Sequence, residues 1–297
     1  MTTLSPRNIG LLFVFSAGLL WSTVGLGIRL IDDASVWQIL LYRSGSLTIF
    51  LGIVITLQTR ANPVVLILKS GLPAVIAAFS LVGAYTGAIY AIQVTSVANA
   101  LLLFGTAPFM AAVLGLLILK ERVRRVTWLS IFVAMIGVMV MVTDKTTGGA
   151  LSGSLAALAS AFGFAVFTIA LRWGKSSNML PSVFLSGIIG VVIMTIICIH
   201  MNLSFKLSFN DAGIAMAMGV FQVGAGLVLY IIGSRTLSAA ELTLLSMSEG
   251  ILAPVWVWIF LGETATSYTL AGGAILLCAI AGNAVFGGKR HTPKWGK

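Results

Sequence analysis

The chain is a succession of long apolar stretches that do not alternate in polarity and, Glu249 apart, carry no charge at their middles. Ten such runs can be placed: Ile9–Leu30, Trp37–Leu57, Leu72–Val94, Ala98–Leu119, Trp128–Val142, Ser154–Trp173, Ser182–His200, Ala212–Ser234, Ala239–Leu261 and Tyr268–Gly287. A membrane-crossing helix takes about 20 apolar residues. Unbroken runs exclude a transmembrane barrel, whose strands alternate lipid-facing and lumen-facing residues. In lipid, a helix is then the remaining way for a segment to satisfy its own backbone groups. The fifth run is short and is expected to be extended by polar residues at its ends. No gap between runs is long enough for a separate domain. The expected fold is an all-α integral membrane protein with ten transmembrane helices.

Composition narrows the function classes. Of the 297 residues, 59% are apolar and 9% charged, against about 25% charged in an ordinary soluble domain. That excludes a soluble enzyme, a disordered chain and a secreted disulfide scaffold. Cys198 and Cys278 lie inside apolar runs and read as small buried hydrophobes. The net charge of +10 comes from short loops and the C-terminal tail, with no single basic face, so a nucleic-acid partner is not expected. The first run is too long for a signal peptide and is followed by many others, so it reads as a retained span. With no Arg- and Ser-rich presequence, the expected location is a bacterial cytoplasmic membrane.

Loop charge sets the orientation. One side of the ten-span arrangement holds Arg7, Arg60, Lys69, Lys120, Arg122, Arg124, Arg125, Arg172, Lys175, Arg235, Lys289, Arg290, Lys294 and Lys297. The other holds Lys145 and Lys206, with Arg29 and Arg43 at span ends. Cytoplasmic loops carry the Lys/Arg excess, so both termini are expected inside.

The two halves repeat. Gly10 to Arg29 aligns without gaps on Gly153 to Arg172, and Ala98 to Glu121 aligns on Ala240 to Glu263. The identities include Arg29/Arg172, Leu102/Leu244, Leu119/Leu261 and Glu121/Glu263, at offsets of 143 and 142. Two nearly equal offsets so far apart in the chain mark an internal duplication. Residues 1–147 are expected to form one five-helix repeat and 148–288 a second, with 289–297 a basic cytoplasmic tail. Five spans is an odd number, so the repeats must cross the membrane in opposite directions. Inverted repeats of this kind are the hallmark of secondary transporters, whose site lies near the midplane between the halves.

The motifs carry a resemblance. Leu20-Trp21-Ser22-Thr23 stands in the first run and Tyr42-Arg43-Ser44 in the second. Residues Tyr90 to Leu103 (YAIQVTSVANALLL) follow, then Pro108 leading to Leu119-Lys120-Glu121-Arg122. The second half echoes this ending with Pro254 and Leu261-Gly262-Glu263. In order and spacing this resembles the EamA-type branch of the drug/metabolite transporter superfamily across nearly the whole chain. The resemblance implies a ten-helix carrier whose cavity is lined mainly by spans one, three, four, six, eight and nine, moving amino acids, nucleotide sugars, quaternary amines or other metabolites.

Within that frame a few residues stand out. Glu249 lies about 15 Å into the ninth run at 1.5 Å per residue, where an acid is costly unless it faces a cavity or a partner. It reads as a binding group for a substrate ammonium or as a proton-coupling site, the bland alternative being a helix-packing acid. Ser246 and Ser248 flank it and are placed to orient it. Arg43 lies about 9 Å into the second run, where it can meet a carboxylate bidentately. Alternatively it snorkels outward, pairs with Asp32 or Asp33, or closes a gate with Glu249. Trp21, Tyr85, Tyr90, Phe104, Phe164 and Tyr230 are the aromatic residues expected along the cavity, and their faces attract ammonium groups. Packing is the competing role for each. Gln222 is a polar lining residue of the eighth run. Trp256 and Trp258 read as an outer aromatic belt, and Glu121, Glu263 and Glu241 as structural acids, the last paired with Arg235.

The expected function is a secondary transporter for a small amino-acid-like or amine-bearing metabolite, working by alternating access, with Glu249 as the one coupling candidate. A channel or a non-transporting membrane protein is the alternative. A membrane-embedded enzyme is disfavoured: the only histidines are His200 and His291, with no HExxH or GxSxG motif. No metal or cofactor is expected; the partners are a small-molecule substrate and the lipid bilayer.

Overall fold

The computed structural model describes residues 5–94, 100, 103–142, 151–174, 179–262 and 267–286. Glu263, Lys145, Lys175, the tail 289–297 and seven positions of the Tyr90–Leu103 motif (95–99, 101 and 102) lie outside the described residues. Regular secondary structure among the described residues is helical throughout. The elements are α1 (Pro6–Trp21), α2 (Val24–Arg29), α3 (Val36–Thr59), α4 (Pro63–Lys69), α5 (Gly71–Val94), α6 (Ala107–Ile118), α7 (Arg125–Val142), α8 (Leu151–Trp173) and α9 (Leu180–His200). Then come α10 (Phe209–Ala217), a π-helical segment (Met218–Ala225), α11 (Gly226–Ser234), α12 (Ala239–Ser246), α13 (Ser248–Leu261) and α14 (Ser267–Phe286).

Six helical stretches are long and apolar enough to cross a membrane: Pro6–Ile28, Val36–Thr59, Gly71–Ala91, Leu151–Trp173, Leu180–His200 and Phe209–Ser234. Three more are apolar but shorter: Ala107–Ile118, Arg125–Val140 and Leu270–Phe286. The fifth expected run begins three residues earlier than its apolar core, at Arg125, as its polar flank suggested. α4 was not foreseen; Asn62 caps it, accepting from the Val64 amide at 2.9 Å.

Three of the expected continuous runs are interrupted. At each interruption a hydroxyl bonds the carbonyl three residues back, a bond that accompanies the break and also occurs within unbroken helices, as from Ser186 to Val183 O. Ser22 Oγ donates to Leu19 O and Thr23 Oγ1 to Leu20 O where α1 gives way to α2. Thr106 Oγ1 donates to Leu103 O in the turn before α6, whose second residue is Pro108. Ser246 Oγ donates to Thr243 O at the end of α12, and Met247 separates it from α13. By contrast α13 passes Pro254 without ending.

The most extensive helix contacts join the first half of the chain to the second: among them α1 with α11, α3 with α9 and with α10 and the π segment, α5 with α8 and α9, α6 with α8 and α12, and α7 with α14. α5 and α8 come together backbone to backbone. A Cβ at Gly87 would stand 2.9 Å from Ala156 O, and one at Gly163 2.9 Å from Ser80 O. Gly87 thus serves the close approach that its GxxxG spacing with Gly83 suggests, whereas Gly83 has open space beside it.

The Lys/Arg-rich end is laced by two ion pairs. Arg172 meets Glu121 through Nε at 3.0 Å and through Nη2, and donates from Nη1 to Ser234 O at 2.7 Å, while Glu121 also accepts from the Ala239 amide. Arg7 meets Glu241 at 2.8 Å and donates to Ala284 O at 2.7 Å. Glu241 therefore pairs with Arg7 rather than Arg235, and doubles as the capping-box acid for Ser238. At the opposite end Asp211 accepts from the amides of Asp32 and Asp33, and among the described residues neither of these two acids forms an ion pair with Arg43.

Candidate functional site

The last turn of α1 is the centre of the site. Trp21 is buried there, its ring 5.2 Å from Tyr230 and 6.0 Å, edge-on, from Phe164. Tyr230 completes the cluster with Phe164 at 5.6 Å and a stacked contact with Phe167 at 6.2 Å. The Tyr230 hydroxyl shares a 2.8 Å hydrogen bond with Thr168. Small residues make the close packing possible: a Cβ at Gly226 would stand 2.3 Å from the indole nitrogen of Trp21. Three of the aromatic residues singled out from the sequence are thus brought together. Phe167 and Thr168 were not singled out, although they follow Phe164 at the i+3 and i+4 spacing that places them near it on one face of α8.

Polar groups surround this cluster. Gln222, in the π segment, donates from Nε2 to the Trp21 carbonyl at 3.2 Å. That carbonyl belongs to the last residue of α1 and is left free by the helix break. The Oε1 of the same amide has no partner, nor has Ser248 Oγ, which packs against Gly18 of α1. Ser246 spends its hydroxyl on Thr243 O. Neither serine bonds Glu249.

Glu249 occupies the first turn of α13, just beyond the break. An acid there benefits from the positive end of the new helix. It lies within electrostatic reach of Tyr230, is exposed, and among the described residues makes neither a hydrogen bond nor an ion pair.

Arg43 forms a second locus. It is buried, with its guanidinium carbon 5.3 Å from the centroid of the Tyr85 ring. Tyr85 in turn donates to Ser186 O at 3.2 Å. Beyond the aromatic face, the guanidinium has no hydrogen-bond or ion-pair partner. Phe104 falls outside both groupings, packing with Leu103, Ala91, Ala100 and Ala157. Trp256, read from the sequence as an outer belt residue, instead donates from Nε1 to Ser22 Oγ at 2.7 Å and so ties α13 to the break in the first span. The Ser22 hydroxyl beside Trp21 in the chain is the signal that was available for it. Trp258 is exposed, as a belt residue would be.

The EamA-like transporter family model matches residues 8–143 and again 151–285. The chain belongs to the EamA-like transporter family. It is therefore a member of the drug/metabolite transporter superfamily, as its motifs suggested. Curated relatives include the uncharacterized transporter YwfM of Bacillus subtilis, 23% identical over 64% of this chain and 65% of its own length. Another, an uncharacterized transporter of Archaeoglobus fulgidus, is 28% identical over 65% of this chain and 68% of its own. The chain thus spans less than two thirds of the Bacillus relative. A solved crystal structure shares the fold at a TM-score of 0.79 and 19% identity, covering 94% of this chain and 98% of that one.

Proposed function

We propose that this EamA-like transporter is a secondary carrier for a small amino-acid-like or amine-bearing metabolite, working by alternating access between two inverted five-helix repeats. The observation that carries the substrate reading is Glu249: an exposed, unpaired acid within the ninth apolar run, in electrostatic reach of the aromatic cluster at Tyr230. A carboxylate beside the faces of Trp21 and Tyr230 suits an ammonium group. Arg43, held only by the Tyr85 face, is the matching group for a carboxylate.

The ten-span, two-repeat reading has its own support. Numbering the spans along the chain, the close pairs are 1–8 with 3–6, 2–8 with 3–7, 1–9 with 4–6, and the self-matched 2–7, 4–9 and 5–10. Exchanging the halves leaves this set unchanged. The turn at Gly105–Thr106 and the break at Met247 also lie at the 142-residue repeat offset. Loop charge puts both termini in the cytoplasm, and the bacterial and archaeal relatives suit a cytoplasmic membrane.

The test is counterflow in proteoliposomes, on a substrate found by thermal-shift screening of amino acids, polyamines, quaternary amines and nucleotides. Saturable counterflow is the expected result; a flux that does not saturate would make the protein a channel. Glu249→Gln is expected to abolish binding of amines. Unchanged uptake across pH by folded Glu249→Gln protein would remove Glu249 from both binding and coupling. Arg43→Ala is expected to impair carboxylate-bearing substrates more than simple amines, and equal effects would leave Arg43 structural.

A further inference from the structure

The site as described leaves open whether the amine is primary or quaternary, since aromatic faces and a carboxylate attract both. The hydrogen-bond inventory separates them. Among the described residues, three buried side-chain polar atoms lack a partner: Thr86 Oγ1, Gln222 Oε1 and Ser248 Oγ. Two of these belong to residues packed around the last turn of α1, Gln222 on the Trp21 carbonyl and Ser248 on Gly18. The orientation of the Gln222 amide is set by that carbonyl, which needs a donor and so takes Nε2. Oε1 is left as an acceptor with no hydrogen of its own. Glu249, when ionised, is likewise acceptor-only and has neither a hydrogen-bond nor an ion-pair partner.

The Ser248 hydroxyl can donate as well as accept but bonds neither acceptor, so Gln222 Oε1 and Glu249 are each left without a donor. Buried polar groups in native proteins are paired, and an orphan calls for a missing partner. From this, and resting on the reading of Glu249 given above, the geometry points to a ligand that brings N–H donors: a primary ammonium, which offers three, recognised by Glu249 and Gln222 Oε1 over the Trp21 and Tyr230 faces. A quaternary ammonium satisfies the charge and the rings but leaves Gln222 Oε1 unpaired. A site built to hydrogen-bond a substrate N–H rejects the analogue lacking it far more strongly than an apolar pocket rejects a change of size.

The test uses the purified full chain and a series in which only the N–H count changes: pentylammonium and its N-methyl, N,N-dimethyl and N,N,N-trimethyl derivatives, all singly charged at neutral pH. Binding is read by thermal shift and by competition in counterflow. Wild-type protein is expected to bind the series with falling affinity, the primary amine at least about tenfold tighter than the quaternary. Gln222→Met is expected to weaken the primary amine about tenfold while leaving the quaternary unchanged, so that the discrimination collapses. Ser248→Ala is expected to give a smaller loss in the same direction. Equal or tighter binding of the trimethyl compound by wild-type protein overturns the inference, as does full discrimination retained in folded Gln222→Met. If Gln222→Met does not fold, the wild-type series decides alone. Loss of every member in Glu249→Gln, with no grading in wild type, defeats this inference and leaves the carrier reading standing. No binding of any member by wild type defeats both.

Discussion

Arg43 and Glu249 carry opposite charges and are held in opposite ways. The arginine is buried under an aromatic face, while the acid is open at the start of a helix. The planar guanidinium stacks where an ammonium does not, so Arg43→Lys is not conservative here. Tyr85 separates two roles for one ring. Tyr85→Phe keeps the face and loses the bond to Ser186 O, and should cost about 1 kcal/mol of stability with transport retained. Tyr85→Leu should lose transport of carboxylate-bearing substrates, which uptake competition would show. A second prediction contrasts two glycines. Gly226→Ala places a methyl 2.3 Å from the Trp21 indole nitrogen and should cost about 1–3 kcal/mol while weakening amine binding. Gly250→Ala meets nothing within 4 Å and should be neutral or gain up to about 1 kcal/mol from helix propensity. Thermal midpoints of the two purified variants, measured side by side, check the contrast.

Among the elements, the interrupted helices carry Trp21 and Glu249, while the unbroken α3, α5 and α8 carry Arg43, Tyr85 and Phe164. Ser22 accepts from Trp256 at the first break, so Ser22→Ala and Trp256→Phe should each cost about 1–2 kcal/mol. The double variant should cost less than the sum, because both remove one bond; a thermal double-mutant cycle reads the coupling. At the basic end, Glu121→Gln leaves Arg172 with Ser234 O alone among its neighbours at the pair. With Glu121 partly open, the loss is put at about 1–3 kcal/mol, less than for a fully enclosed pair. Removing both charges, by Glu121→Gln with Arg172→Met, should recover part of it. The apolar runs were legible in the sequence because twenty apolar residues have one stable form in lipid. The breaks were not. Ser22, Thr106 and Ser246 look like any hydroxyl in a helix, and their bonds to the carbonyls three residues back recur inside unbroken helices, as from Ser186 to Val183 O and from Ser46 to Arg43 O. Pro108 and Pro254 were the visible breakers, and only the first stands beside an interruption. Glu249 and Arg43 stood out because charge is rare within the runs. That Trp21, Phe164 and Tyr230 meet while Phe104 packs elsewhere depends on which helices adjoin, and no periodicity within one helix records that.

For the whole molecule, the charge asymmetry of the loops makes a direct prediction. In a cysteine-free background, a cysteine at Arg60 should react with an impermeant maleimide only after the membrane is opened. One at Lys206 should react in intact cells. The reverse pattern would invert the orientation without touching the fold. The seam between α5 and α8 has a consequence for what the sequence can tolerate there. Main chain lies directly against main chain at Gly87 and Gly163, and Ser160 donates across the joint to Ala84 O. A methyl at either glycine would meet a carbonyl oxygen, which no change of rotamer can move aside. The two backbones would have to part, and the bond from Ser160 would stretch with them.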